Sequence, residues 1–511
     1  MTRAERKSPN PREVELKLQL LAGSRDILEA CAIFADAMAT HHHQVTTYFD
    51  TPDGVLGRAG FALRVRQADG SHTQAVKSGA NRRGIAMDRR EWEWPVGRNT
   101  PELTHLARTK ELAGFVQAIE GKLIPVFLTD IHRTTRLLHL ESNTIVEAAI
   151  DMGRIKAGKA SEEVCELELE LKAGRPGPMY QLAIQLQSLA PMWVSAESKS
   201  ARGWHLRTGQ TEGAAVARTP RLGRRVRAAE GFSRIIAGTL GHLISNIAPT
   251  LRGDPEGIHQ MRTALRASRA ALELFAPRLD ALIVGQFDAE LKSFGRLFGV
   301  ARDWDVFCLY TLPAAMAELP AERLWDMKQA AESERQNANA VVLDTVCGQH
   351  FTAMVLGLVA WAEDGAAQPY TFGAGPMGKR LAILAPALLS RVATKAKKRE
   401  QCKGKLSAEA RHRLRKALDR LCDDVKFLTR IFPCRELPRY RDKCEQVQVI
   451  LGLANDTAVA RRLVLTLIAD GRLDLNEPGD ALVQWSNQKS RNILHHLDAA
   501  LRDFGGVAVF W

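Results

Sequence analysis

Glu13-Val14-Glu15-Leu16-Lys17 decides how the first part of the chain reads. Side chains alternate between faces in a strand, so Glu13, Glu15 and Lys17 share one side and Val14 and Leu16 the other. Neighbours on one face lie ~6.7 Å apart, and two carboxylates at that separation repel by roughly 2.5 kcal/mol at an effective dielectric of about 20. A cation between them is expected. Cys165-Glu166-Leu167-Glu168-Leu169-Glu170-Leu171-Lys172 repeats the pattern, with three carboxylates on one face and three leucines on the other. Two such strands point to an oxygen-rich site for a hard cation, Mg²⁺ or Mn²⁺. Either strand alone reads equally well as the solvated face of an exposed antiparallel sheet.

Basic residues alternate in the same way on other runs. Leu63-Arg64-Val65-Arg66 places two arginines together, and Arg89-Arg90-Glu91-Trp92-Glu93-Trp94 groups Arg89, Glu91 and Glu93 against Trp92 and Trp94. Glu147 and Asp151 share a face in the run from Val146, and Lys77 follows another short apolar-polar run. Strands with one charged face of both signs describe a closed barrel with a polar interior, which can hold a polyanion and its metal.

Five segments in order then resemble the CYTH family, the triphosphate tunnel metalloenzymes. They are the ExExK run Glu13 to Lys17, Tyr48-Phe49-Asp50-Thr51-Pro52-Asp53, Leu63 to Arg66, Cys165 to Glu170, and Ser198-Lys199-Ser200-Ala201-Arg202-Gly203, together covering about residues 10 to 207. The resemblance implies an antiparallel barrel whose tunnel binds a linear triphosphate, and the layout is similar to bacterial inorganic triphosphatases that carry a second, helical domain. It implies that Glu13, Glu15, Glu168 and Glu170 hold one or two metals, with Glu166 a further candidate. Glu13, Glu15, Lys17, Glu168 and Glu170 form the expected catalytic set, and Arg64, Arg66, Lys77, Arg89, Arg133 and Lys199 are expected on the phosphate oxygens. Inorganic triphosphate would give pyrophosphate and phosphate. Glu91, Glu147 and Asp151 are expected to tune the basic side chains through ion pairs, and Gly203 beside Arg202 to mark a tight turn.

At 511 residues the chain exceeds a usual single domain, and its 45% hydrophobic content is ample for two or three cores. No apolar run approaches the roughly 18 residues of a spanning helix, and the polar start Met1 to Arg12 lacks a secretory core, so the expected location is cytoplasmic. Eight cysteines without a CxxC pair are read as reduced thiols. Residues 1–210 hold 28 Lys and Arg against 25 Asp and Glu, and the remainder 43 against 33, so the excess of +13 falls mainly in the second part. Pro220 and Gly223, within the aperiodic run Thr219 to Arg227, mark a linker at 211–228 between domains at 1–210 and 229–511.

Beyond that linker the apolar period becomes helical, and the sequence repeats. His259-Gln260-Met261-Arg262-Thr263-Ala264-Leu265-Arg266 aligns with His412-Arg413-Leu414-Arg415-Lys416-Ala417-Leu418-Asp419, and Leu297 to Asp303 aligns with Ile450 to Asp456 at the same offset. Helical spacing gathers His259, Arg262, Arg266 and Arg269 into one stripe and His412, Arg415, Lys416 and Arg420 into another. This half resembles the CHAD domain over about residues 225 to 511, on its His-x-x-Arg helix starts, the Leu-Gly-like segments read as turns ending in Arg302-Asp303 and Asn455-Asp456, and the terminal Phe510-Trp511. That resemblance implies a helical bundle binding inorganic polyphosphate in a basic cavity, with Arg302 among its ligands and polyphosphate granules as a further destination. Asp303 and Asp456 are read as helix caps or partners of an arginine.

The expected fold is thus α+β overall: an N-terminal antiparallel β-barrel followed by an all-α bundle with an internal two-fold repeat. A non-catalytic polyphosphate-binding protein, or a barrel acting on an organic triphosphate such as thiamine triphosphate or ATP, stays open beside the inorganic triphosphatase reading. Nucleic acid is disfavoured as a partner because no aromatics interleave with the basic stripes, and no membrane is expected. His41-His42-His43 reads as a solvated loop tract, and His495 and His496 as surface or rim groups. No phosphate-binding glycine loop, Ser-His-Asp order or dinucleotide fingerprint is present.

Overall fold

The computed structural model describes residues 12–79, 81–210, 213–320, 324–368, 377–400, 407–469 and 477–511. Almost all of the polar start and two residues of the expected linker lie outside them. The chain divides into two compact units: the part up to residue 215 with segments 247–252 and 346–361, and the remainder.

In the first unit ten strands form one antiparallel sheet: β1 (Arg12–Leu20), β2 (Thr40–Asp50), β3 (Phe61–Ala68), β4 (Ser71–Ser78), β5 (Asn81–Arg83), β6 (Ala86–Val96), β7 (Ile124–Leu140), β8 (Thr144–Ala157), β9 (Ala160–Ala173) and β10 (Met192–Ser195). Eight of them close a ring in the order β1, β9, β8, β7, β2, β3, β4, β6 and back to β1. Closure works because β1 is shared: Arg12 to Glu15 pair with β6, whereas Lys17 to Leu20 pair with β10. Ring closure removes the free edges that an open sheet would expose.

The alternation seen in the sequence is turned inside out relative to a soluble sheet with an apolar core on its inner face. Lys17 pairs with Glu168 and Glu15 with Glu170 across β1 and β9, both pairs facing inward. The intervening Leu16, Leu18, Leu167 and Leu169 face outward, yet each has no exposed surface. The helix Pro176–Leu189, with Met179, Leu182, Ala183 and Leu186 buried, packs over β8 and β9. On the opposite wall Phe49, Leu63, Val65 and Val76 pack against Leu56, Leu106, Leu112 and Ile119, with Trp92 and Trp94 partly buried beside them. Two apolar cores therefore lie outside the ring, and much of the interior is left to charge.

One end of that interior is apolar. Strand register puts Tyr48, Phe127, Ile131, Ile155 and Val164 on the inward face, where they pack with Trp204 and Leu206. Those two belong to helix α1 (Lys199–Thr208), capped by Ser198, whose hydroxyl accepts from the Ala201 amide. Arg202 and Gly203 lie inside this helix rather than at a turn. A Cβ on Gly203 would come 2.3 Å from the Phe127 ring, so close packing rather than chain reversal requires the glycine.

In the second unit the repeat is visible in the element bounds. Helices α2 (Ala228–Ser245), α3 (Pro255–Phe275) and α4 (Ala281–Val306) have counterparts α5 (Leu381–Glu400), α6 (Ala408–Leu428) and α7 (Glu436–Ala469). The starts of α2 and α5, the starts of α3 and α6, and the caps Asp254 and Ser407 all keep the sequence offset. The segments Leu297–Asp303 and Ile450–Asp456 are not turns; they lie within α4 and α7, so Asp303 and Asp456 cap nothing. Gly299 sits where a Cβ would touch Arg262 at 3.7 Å, whereas a Cβ on Gly452 would meet nothing within 4 Å. Cys422 of α6 and Cys444 of α7 form a disulfide, which corrects the all-thiol reading. Among the described residues no single helix is long and apolar enough to cross a membrane.

Candidate active site

The barrel interior is a chain of alternating charges. Starting from β1, Glu13 accepts from Lys77 at 2.9 Å and Arg89 at 2.8 Å, and Glu15 accepts from Arg89 at 2.8 Å and Lys17 at 2.6 Å. Lys77 continues to Glu91 at 3.1 Å, and Glu91 takes Arg64 at 2.9 Å. In the other direction Lys17 donates to Glu168 and reaches Glu166 at 3.4 Å. Arg133 forks onto both oxygens of Asp151, at 2.7 and 2.6 Å, and also holds Glu168 at 2.5 Å. Lys199, at the start of α1, bonds Asp151 at 2.5 Å, Glu168 at 2.9 Å and Glu166. Arg202 ties Glu162 at 2.7 Å and Glu166 at 3.3 Å.

Burial makes these pairs strong. Burial alone would disfavour ionised Glu15, but Lys17, Arg89 and Lys77 hold its carboxyl well below the usual range. Asp151, with no exposed surface, is held low against burial by Lys199 and Arg133, and Glu166 by Lys199 and Lys17. Lys77 shifts downward, first through burial and then through Arg89 and Arg64. The Tyr48 phenol, buried beside Arg64, is lowered despite burial by Arg64, Lys199 and Lys77.

Arg66 breaks the alternation. Among the described residues it forms no ion pair, and it shares the inward face with Arg64 and Arg133. Repulsion from Arg64, then burial, then Arg133 bring it down to about 10. Three guanidinium groups crowd one another there, and an anion with several oxygens would relieve them.

Opposite in character, Asp151, Glu166 and Glu168 bring carboxylate oxygens within 4.8 Å of one another, and all three are buried. Three hard oxygen donors fit a divalent cation such as Mg²⁺ or Mn²⁺. Of the expected metal set, Glu166 and Glu168 are in this trio, while Glu13 and Glu15 lie along the charge chain. Glu170 bonds Lys172 at 2.7 Å near Glu147 and is partly exposed; burial raises its carboxyl. Asp151, read from sequence as a tuning ion pair, joins the trio because β8 and β9 register it directly against Glu166. Tyr48 enters the sequence reading only within the segment Tyr48 to Asp53, with no site role; its inward position follows from pairing with Arg64.

His41, His42 and His43 lie on β2, not in a loop. They bond Thr134 at 3.1 Å, Asp69 at 2.7 Å and Asp130 at 2.8 Å, and His43 stacks on His132.

In the helical unit Arg262 and Arg415 occupy equivalent places in the two copies and act on each other across the repeat. Burial, and then Arg415 and Arg266, lower Arg262 against the pull of Asp303. His259 is pushed down to about 4 by burial, Arg302, Arg262 and Arg266, against Glu256, and its buried Nδ1 has no hydrogen-bond partner. Arg302 likewise leaves a buried Nη1 without a partner. Other stripe members are paired: Arg266 with Asp423 at 3.0 Å, Arg269 with Asp288 at 2.8 Å, Arg420 with Glu273 at 2.6 Å, and Arg415 more loosely with Asp419 at 3.9 Å. Asp303 binds Arg462 at 2.7 Å, the arginine-partner role expected of it. His412 is lowered by burial, Lys416 and Arg415. Lys416 is lowered by burial and by Arg269, Arg420, Lys292 and Arg296; the last two, on α4, lie off the stripes and went unread.

Two family models match the chain. Residues 11–204 match the family model of the CYTH domain, and residues 234–465 that of the CHAD domain. An inorganic triphosphatase of Haemophilus influenzae is 30% identical over 200 residues, 38% of this chain and 56% of that protein. The match thus spans little more than half of that relative's length. Among solved structures, the CHAD domain of the plant Ricinus communis is similar with a TM-score of 0.48 at 23% identity, covering 58% of this chain and 98% of that one. A Hippeastrum protein described as a putative adenylyl cyclase with a dominant triphosphatase activity gives a TM-score of 0.30 at 19% identity, covering 38% and 96%. The chain carries a CYTH domain in its barrel and a CHAD domain in its helical unit.

Proposed function

We propose that the barrel hydrolyses inorganic triphosphate to pyrophosphate and phosphate, and that the helical unit binds inorganic polyphosphate. The observation that carries the first reading is Arg66, inward and with no ion pair among the described residues, repelled by Arg64 and Arg133 against the pull of Glu93 and Glu91, in a barrel that also holds a buried acidic trio. Arg64, Arg66 and Arg133 would grip the phosphate oxygens, and Lys77 and Arg89 would stabilise the charge gathering on the leaving pyrophosphate. Asp151, Glu166 and Glu168 would hold the divalent ion, with Glu13 and Glu15 orienting the cations around it. When bound, Mg²⁺ or Mn²⁺ supplies Lewis-acid polarisation of the phosphoryl oxygens. The apolar end at Tyr48, Phe127 and Trp204 keeps bulk water from that side of the chain.

Phosphate release from triphosphate with Mg²⁺ or Mn²⁺ tests this directly. The Glu13→Gln, Glu15→Gln double variant should lose nearly all turnover, and full activity in it would remove the proposed site. Thiamine triphosphate and ATP in the same assay decide whether the substrate is an organic triphosphate instead.

The polyphosphate reading rests on Arg262, Arg302 and Lys416, which among the described residues have no acidic partner within bonding distance, and on the open nitrogen of His259. It places His259, Arg262, Arg302, His412, Arg415 and Lys416 on the ligand, with Arg266, Arg269 and Arg420 held by carboxylates at its margin. Titration of the full chain with long-chain polyphosphate tests it, and a chain that binds none at low salt would refute it.

A further inference from the structure

Two ammonium groups stand inside the acidic trio. Lys199 Nζ lies 2.5 Å from Asp151 and 2.9 Å from Glu168 and also bonds Glu166, so one ammonium touches all three candidate metal ligands. Lys17 Nζ bonds Glu168, reaches Glu166 at 3.4 Å and holds Glu15 at 2.6 Å. A divalent ion cannot take those oxygens while both ammoniums keep them, because like charges would then share one buried ligand set.

The remaining cations differ in freedom. Arg133 is forked onto both oxygens of Asp151, and Arg202 is tied to Glu162, Glu166 and the Glu163 carbonyl. A planar guanidinium with two bonds is fixed in direction, whereas an ammonium on a four-carbon stem can turn to a new acceptor without moving the backbone. Lys17 and Lys199 are therefore the groups able to leave the trio, while Arg133 stays on it and meets phosphate only through Nη1, which takes no part in these bonds; the crowded guanidinium side of the interior is where phosphate oxygens would receive the two ammoniums.

We propose that Lys17 and Lys199 are exchangeable counterions: they neutralise Asp151, Glu166 and Glu168 in the empty barrel and pass to phosphate oxygens when metal and triphosphate enter. This rests on the triphosphatase reading and adds a consequence that reading does not contain. Metal and triphosphate must bind with positive coupling, each raising the affinity of the other by the same factor.

Calorimetric titration of the full chain tests it, with Mn²⁺ as the metal and a methylene-bridged triphosphate analogue that is not hydrolysed. In the wild type the analogue should raise Mn²⁺ affinity by about tenfold or more. Lys199→Met should raise Mn²⁺ affinity in the absence of analogue by about tenfold, since the competing ammonium is gone, while weakening the analogue and shrinking the coupling. Lys17→Met should do the same and serves if Lys199→Met does not fold, as judged by circular dichroism. Unchanged or weaker Mn²⁺ binding in folded variants overturns the counterion role even if triphosphate is turned over. A wild-type chain that binds no analogue at any Mn²⁺ concentration overturns the triphosphatase reading, and this inference with it.

Discussion

In the barrel, Lys17, Lys77, Arg64, Arg89, Arg133 and Lys199 each lie within bonding distance of a carboxylate, and Arg66 stands apart. In the helical unit Arg262, Arg302 and Lys416 lie against none among the described residues, and burial and Arg302 push the nearby imidazole of His259 down to about 4. The interior thus carries its own counterions, placed by strand register, whereas part of the helical face has no carboxylate within bonding distance among the described residues. A site of the first kind recognises a small ligand by geometry and requires the internal pairs to rearrange. A site of the second kind binds polyanions by charge density, with counterion release as a driving force.

The sharpest way to break this contrast is to remove one internal counterion. Asp151→Ala leaves Arg133 and Lys199 buried with one partner fewer, and uncompensated buried charge costs about 3–5 kcal/mol. Urea unfolding of the barrel should show that loss together with failure of triphosphate turnover. A change near the roughly 0.5 kcal/mol of a surface substitution would mean that the interior pairs do not support the fold.

Salt separates the two regions next. Polyphosphate engaging about five cations on the helical face should lose roughly a hundredfold in affinity between about 50 and about 200 mM salt. Buried pairs in the barrel are screened far less, so KM for triphosphate should move only severalfold. Equal salt slopes for both ligands would erase the distinction.

The apolar end of the barrel gives a smaller, local effect. Gly203→Ala drives a methyl into the Phe127 ring, and overpacking of this kind costs about 1–3 kcal/mol. Thermal unfolding of the barrel should shift by a corresponding amount, while the helical unit's polyphosphate affinity stays unchanged.

What could be read beforehand follows from which interactions are periodic. Glu13, Glu15, Glu166 and Glu168 declared themselves because a two-residue period of Glu and Leu has few meanings other than a charged strand face. The repeat declared itself because two motifs kept one offset. Asp151 did not, since its strand neighbours on that face are Ala149 and Gly153, and its place in the trio depends on pairing β8 with β9. Gly203, Gly299 and Gly452 read in the sequence as turn signals, although each lies inside a helix, and Gly203 and Gly299 face a ring and a guanidinium. The Cys422–Cys444 bond was equally illegible, because its partners meet only when α6 packs on α7. Lys292 and Arg296 belong to no stripe and become part of the basic face only through the approach of α4 to Lys416.

The finest test uses protons. His259 faces Arg302 from α4 and Glu256, Arg262 and Arg266 from its own helix, and the balance of these with burial brings it to about 4, so it is neutral at neutral pH. A phosphate bound between its open Nδ1 and Arg302 would oppose that repulsion and raise the value. The bound state would then hold more protons than the free state at any pH between the two values, so polyphosphate affinity must rise as pH falls, by at most about tenfold per pH unit for one proton. Calorimetry at one pH in buffers of different ionisation enthalpy should register proton uptake on binding, and His259→Asn should abolish the contribution while leaving most of the salt-sensitive affinity. Proton release, or no transfer at all, would place the phosphate chain away from His259 and confine the unmatched charge of the helical face to its arginines and lysines.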